Sequence, residues 1–122
     1  MKSLRISILA LSLCGLAIVA TPAMAADMMD GSVSVVSPAN GAVLDSGKDI
    51  KLTYNVKLSP TGNHLHIYVD DMSPIIDRDV SGCPCSLTLP TLAPGKHTVA
   101  VREATVHHNL TGLETSVSFT VK

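Results

Sequence analysis

A period of two runs through most of this chain. In "IKLTYNVKL", Ile50, Leu52, Tyr54, Val56 and Leu58 share one face, and Lys51, Thr53, Asn55 and Lys57 share the other. That alternation predicts a half-buried strand over 50–58. Shorter runs of the same kind predict strands at 33–36 ("VSVV"), 64–70 ("HLHIYVD"), 86–89 ("SLTL"), 96–106 ("KHTVAVREATV") and 115–121 ("TSVSFTV"). Turn-rich segments such as "SPANGAVLDSG" separate them, and no helical period appears. Residues 71–85 must cross between sheets and have room for one more short strand. Short strands and Gly/Pro/Asn/Ser turns in this order predict an all-β fold, an antiparallel immunoglobulin-like or fibronectin-like β-sandwich.

The first 25 of the 122 residues read differently. Lys2 and Arg5 precede the apolar run "ISILALSLCGLAIVA", Pro22 breaks it, and "AMA" offers small residues for cleavage. This pattern predicts a secretory signal peptide over 1–25 and a single domain over 26–122. Leu13 is too bulky for cleavage before Cys14 as a lipoprotein. After the leader, no stretch is long and apolar enough to span a membrane. The expected location is the periplasm or outside the cell.

Residues 26–122 carry seven basic and ten acidic side chains, a formal charge of −3. Nucleic-acid binding would call for a basic surface, so no nucleic-acid partner is expected. Tyr54, Tyr68 and Phe119 are the only aromatic residues, leaving little on which bases or sugars could stack. No Ser-His-Asp arrangement is discernible, and the chain does not read as an enzyme. Asp70, Asp71, Asp77 and Asp79 make an acidic loop, but their spacing matches no calcium-binding loop.

Candidate chemistry lies in the histidines. On strand 64–70, His64, His66 and Tyr68 fall on one face and Leu65, Ile67 and Val69 on the other. The second set is the better core set, so His64 and His66 face away from the core, about 7 Å apart along the strand. Alone, that spacing fits wet-face histidines as well as metal ligands. Sandwich topology adds a neighbourhood. Strand 96–106 rises beside strand 64–70 and ends at His107 and His108, and the "ADMMD" arm with Met28 and Met29 enters at the same pole. Imidazoles with a thioether suit a transition metal, copper in preference to zinc. Adjacent residues of an extended chain point to opposite faces. His107 is therefore the expected third ligand, with His108 and Met28 as auxiliaries. His97 shares parity with the inward Val99 and Val101, at the opposite end, and reads as a structural residue capping a loop carbonyl. Cys83 and Cys85, in "GCPCS", are the only cysteines beyond the leader. Export favours a disulfide between them, with a redox role, soft-metal binding or bridges to another chain as the alternatives.

The segments "SPANGAVLDSGKDIKLTYNVK", "GNHLHIYVD" and "LPTLAPGKHTVAVREATVHHNLTGLETSVSFTVK" resemble a group of small bacterial periplasmic domains of uncharacterised function. Those domains share a Ser-Pro-x-x-Gly start, a His-rich strand followed by Asp, a Pro-Gly-Lys-His-Thr turn and a late His. The resemblance implies an immunoglobulin-like fold and export, and sets His64, His66, Asp70, His97 and His107 or His108 at the family's positions. Metal binding is the activity it suggests. Here Leu65 interrupts the histidine run, and Cys-Pro-Cys is not a family feature. Two functions are therefore expected to compete. One is an exported metal-binding protein, handling copper through a His and Met cluster, with the metal ion and another periplasmic or envelope protein as its expected partners. The other is a non-catalytic immunoglobulin-like adhesion or assembly module with structural histidines.

Overall fold

The alternating runs pair into two sheets. The computed structural model describes residues 30–122; the leader, Met28 and Met29 lie outside the described residues. Eight strands follow in order: β1 (Ser32–Ser37), β2 (Val43–Leu44), β3 (Lys51–Lys57), β4 (His64–Val69), β5 (Ile75–Asp77), β6 (Cys85–Thr88), β7 (Gly95–Ala104) and β8 (Leu110–Val121). One sheet has the order β1-β3-β6 and the other β2-β8-β7-β4-β5. All pairings are antiparallel except β2 with β8, which is parallel.

Each expected strand is present, with three differences. The extra strand between 71 and 85 is β5, which pairs its Leu65-facing Asp77 and Ile67-facing Ile75 to β4. A two-residue strand, β2, sits inside the turn-rich "SPANGAVLDSG" run, where two residues are too few to show a period. β7 ends at Ala104 and β8 begins at Leu110, so the last two strands form a tight hairpin, and His107 and His108 lie in its loop.

The core lies between the sheets. Leu65, Ile67 and Val69 of β4, Val99 and Val101 of β7, and Val117, Phe119 and Val121 of β8 face Leu52 and Tyr54 of β3. Leu52, Leu65, Ile67, Val99 and Val101 are fully buried; each contributes about 1.5–3 kcal/mol by leaving water. With so few aromatic residues, the core depends on many branched aliphatic side chains packed at crystal-like density. Truncating Phe119 to Ala would cost about 3–5 kcal/mol.

Two polar contacts tie the framework together. The Tyr54 hydroxyl of β3 donates to Asp77 of β5, across the open edge between the sheets. Burial, and then the Asp77 carboxylate, push the Tyr54 phenol well above its ordinary pKa. Glu103, fully buried near the end of β7, accepts from Ser59 N (2.8 Å), Ser59 Oγ (2.5 Å) and Thr111 Oγ1 (2.8 Å). It thereby clamps the β3–β4 connection, the segment that leads into His64. A Cβ at Gly62 would collide with this carboxylate, so only glycine fits there.

Candidate metal centre

Strand parity sends His64 and His66 to the outer face of the five-stranded sheet, opposite Ala104 and Arg102 of β7. The third imidazole comes from the β7–β8 hairpin. Its loop opens with a turn in which His108 N donates to Thr105 O (2.9 Å), and Thr105 N donates to Asn109 O (2.8 Å). His108 closes that turn at φ 64°, the left-handed position that glycine or asparagine usually fills in such hairpins.

The three side chains meet nitrogen to nitrogen. Nε2 of His64 lies 3.0 Å from Nε2 of His66 and 3.2 Å from Nδ1 of His108, and His66 Nε2 lies 3.1 Å from that same Nδ1. Among the described residues, these are the three whose ligand atoms are mutually close enough to share an ion. With metal–nitrogen bonds of about 2.0–2.1 Å, a triangle of this size would hold an ion roughly 1 Å off its plane and leave a fourth position open.

The outer ring edges are held too. His64 Nδ1 faces Asn63 Oδ1 at 3.0 Å, His66 Nδ1 faces the Tyr68 hydroxyl at 3.3 Å, and His108 Nε2 faces Arg78 Nη2 at 3.2 Å. Arg102 stacks its guanidinium 5.0 Å from the centre of the Tyr68 ring, fixing the side chain that steadies His66. Asn63 and Tyr68 are partners of the kind that orient metal-ligating imidazoles; the Arg78 guanidinium only donates, so it cannot take a ring N–H from His108.

His64 is fully buried and His66 only 7% exposed. Burial, then the charges of Arg78, His108 and His66, lower the His64 pKa; burial, then His108 and Arg78, lower that of His66. Both are therefore neutral near pH 7, the form that binds metal.

Comparison with known proteins bears on the scaffold. No family model matches the chain, and no curated protein matches it. Among solved structures, the fibronectin(III)-like modules of Clostridium thermocellum CbhA superpose with a TM-score of 0.57 at 21% identity, over 74% of this chain and 94% of that one. The fold is a fibronectin(III)-like β-sandwich. The resemblance to small periplasmic domains rests on the motif residues alone.

Within this fibronectin(III)-like sandwich the expected site residues separate. His64, His66 and His108 come together. Of the two readings open for His64 and His66, the wet face does not hold: their parity is outward, as expected, but both are buried, with His108 and, behind it, Arg78 laid over them. The choice of His107 is corrected as well. Both loop histidines are exposed, but it is His108, in the left-handed position, whose ring nitrogen reaches His64 and His66. Met28 lies outside the described residues. Cys83, in the β5–β6 connection, is joined to Cys85, the first residue of β6, with Cα atoms 4.3 Å apart; as a disulfide they offer no thiolate to a soft metal.

His97 sits at the far end of β7, where it donates from Nε2 to Ala93 O and from Nδ1 to Asp70 Oδ2, both at 2.6 Å. The Asp70 hydrogen bond first, and then the Ala93 carbonyl, raise its pKa above the usual imidazole value. Both ring nitrogens are engaged, so it caps a loop carbonyl. Sequence reasoning missed Tyr68 and Glu103 as supports of the site, and Arg78 as the residue that engages His108. The signal for Glu103 was available: a carboxylate in step with the inward Val99 and Val101 demands buried partners.

Proposed function

We propose that this chain is a non-catalytic binding module in which His64, His66 and His108 hold a transition-metal ion at the hairpin end of the sandwich. One observation carries the reading. Three imidazole nitrogens from two distant segments converge at 3.0–3.2 Å, and two of the rings are kept neutral by burial. Buried polar clusters normally spread their hydrogen bonds over outside acceptors; here three nitrogens point at one place, as shared ligands do.

An all-imidazole set suits copper, zinc and nickel, and divalent copper binds such ligands more tightly than zinc. Copper remains the preferred ion on that ground, with Met28 as the thioether that would favour its reduced form. Titration of the metal-free protein with Cu(II), Cu(I) and Zn(II), beside a His64→Ala/His66→Ala variant, tests the reading. Tight 1:1 binding by wild type that the variant loses is the expected result; equal weak binding by both would sink it. If residues 1–25 are a secretory leader, this chemistry takes place in the periplasm or beyond. The exported protein would then begin at Ala26, which intact-mass analysis would show.

A second reading is favoured by the fold likeness. A fold of this kind hosts unrelated functions and does not by itself call for a metal, and every histidine of the cluster has a hydrogen-bonding neighbour. On this reading the three rings merely knit the β7–β8 hairpin to β4. The CbhA match speaks more directly for it than for a metal site. The same double variant decides, because a purely structural cluster would lower the melting temperature without any change in metal affinity.

A further inference from the structure

Arg78 follows β5 directly, and its Nη2 reaches Nε2 of His108 at 3.2 Å. A guanidinium has donors only. His108 Nε2 must therefore accept, and in a neutral imidazole the proton then sits on Nδ1. Nδ1 is the atom turned toward His64 and His66. The His64 ring is set the other way. Its Nδ1 donates to Asn63 Oδ1, which leaves its Nε2 bare and ready to accept from His108. The cluster is thus a directed chain of hydrogen bonds, from Arg78 to His108 and on to the β4 histidines.

An ion in the triangle needs the opposite tautomer of His108, with the lone pair on Nδ1 and the proton on Nε2. Two donors would then face each other at 3.2 Å, and a fixed cation would lie close to a metal cation. Arg78 cannot stay where it is once the ion is bound. Its freedom to leave is built into the segment. Asp77 beside it is anchored to Tyr54, whereas the Arg78 side chain is exposed.

Building on the metal-site reading above, we propose that Arg78 gates the site: it holds His108 in the tautomer that refuses a metal and swings out when an ion displaces the proton. The gate sets how much free metal is needed before the module loads.

Two measurements on wild type, Arg78→Ala and Arg78→Gln test this. Long-range proton–nitrogen NMR of the metal-free proteins reads the tautomer directly. Wild-type His108 is expected as Nδ1–H, and both variants are expected to shift toward Nε2–H. Competition titration with Cu(II) and Zn(II) is expected to show each variant binding roughly tenfold tighter, the usual scale for a change beside metal ligands and consistent with removing a nearby like charge. An Nε2–H tautomer in metal-free wild type would overturn the gate without any ion being added. Tight binding by wild type with unchanged or weaker binding by both variants would overturn the gate alone. No binding by any of the three would remove the metal site and the gate together.

Discussion

Replacing His108 with glycine separates what this residue does for the fold from what it does for the site. At φ 64° a non-glycine backbone carries strain on the order of 1 kcal/mol, the low end of the range because histidine tolerates this region better than most residues. Glycine relieves that strain and adds about 0.5–1 kcal/mol of unfolded-chain entropy. The two nearly cancel. The lost bond to exposed Arg78 is a minor term, and water entering the space the ring vacates replaces the bond that His108 Nδ1 gave to His64 Nε2. The metal-free variant should therefore unfold within about 1 kcal/mol of wild type, a shift of no more than roughly 4–8 °C. Metal behaves differently. At a free concentration 100 times Kd, bound ion stabilises wild type by about 2.7 kcal/mol, or roughly 10–20 °C. Loss of one of three ligands weakens binding by on the order of a hundredfold, which at the same concentration leaves about 0.4 kcal/mol. Thermal melts followed by circular dichroism, with and without Zn(II), measure both quantities. His107→Gly is the control and should keep the full metal shift. A metal-free His108→Gly protein destabilised by more than about 2 kcal/mol would show that the imidazole is structural. An undiminished metal shift would show that it is not a ligand.

The framework makes its own predictions. Gly62→Ala drives a methyl group into the Glu103 carboxylate and should cost about 1–3 kcal/mol in urea unfolding, loosening the approach to His64. Tyr54→Phe leaves Asp77 without its cross-sheet donor; a loss of about 1–3 kcal/mol and faster amide exchange in β5 are expected. For the His97–Asp70 pair the sign follows from the two shifts. The His97 pKa is raised, so its contribution is complete below the unfolded value of 6.5 and is lost as pH rises through the folded value. At Asp70 burial pushes up, but hydrogen bonds from His97 and Thr98 N and the His97 charge pull harder, so its pKa ends below 3.8. Its contribution is present above 3.8 and is lost as pH falls through the lower folded value. Comparing wild type with His97→Ala by chemical unfolding, the stability gap should be larger at pH 5 than at pH 9; an equal gap at both would refute the charged pairing.

Much of this could be read from alternation alone. The contrast of Leu65, Ile67 and Val69 with His64, His66 and Tyr68 gave the facing of β4 correctly, because period two is a property of the extended backbone. Exposure was not legible in the same way. Whether an outward residue is wet depends on what other segments lay over it, and here these are a five-residue loop and an arginine 12 positions beyond His66. The choice between His107 and His108 failed for a related reason. Alternation holds only while the chain stays extended, and one left-handed residue at 108 resets it. A shorter strand 96–106, with the hairpin turn placed at "TVHHN", would have made His108 the better candidate.

The division of labour along β4 has a bearing on how such a module can change over generations. Its inward residues answer only to packing, and its outward ones only to the cluster. Substitution at 64, 66 or 108 need not pass through the densely packed interior, so the donor set can drift, lose a member or exchange imidazole for another ligand with the sandwich still folding. Natural proteins have little stability in reserve, and a scaffold that confines experiment to one side of one strand and one hairpin loop exposes little of that reserve to each trial. Divergent copies of this domain are accordingly expected to keep the residues in step with Leu65 and Ile67 while varying those in step with His64 and His66.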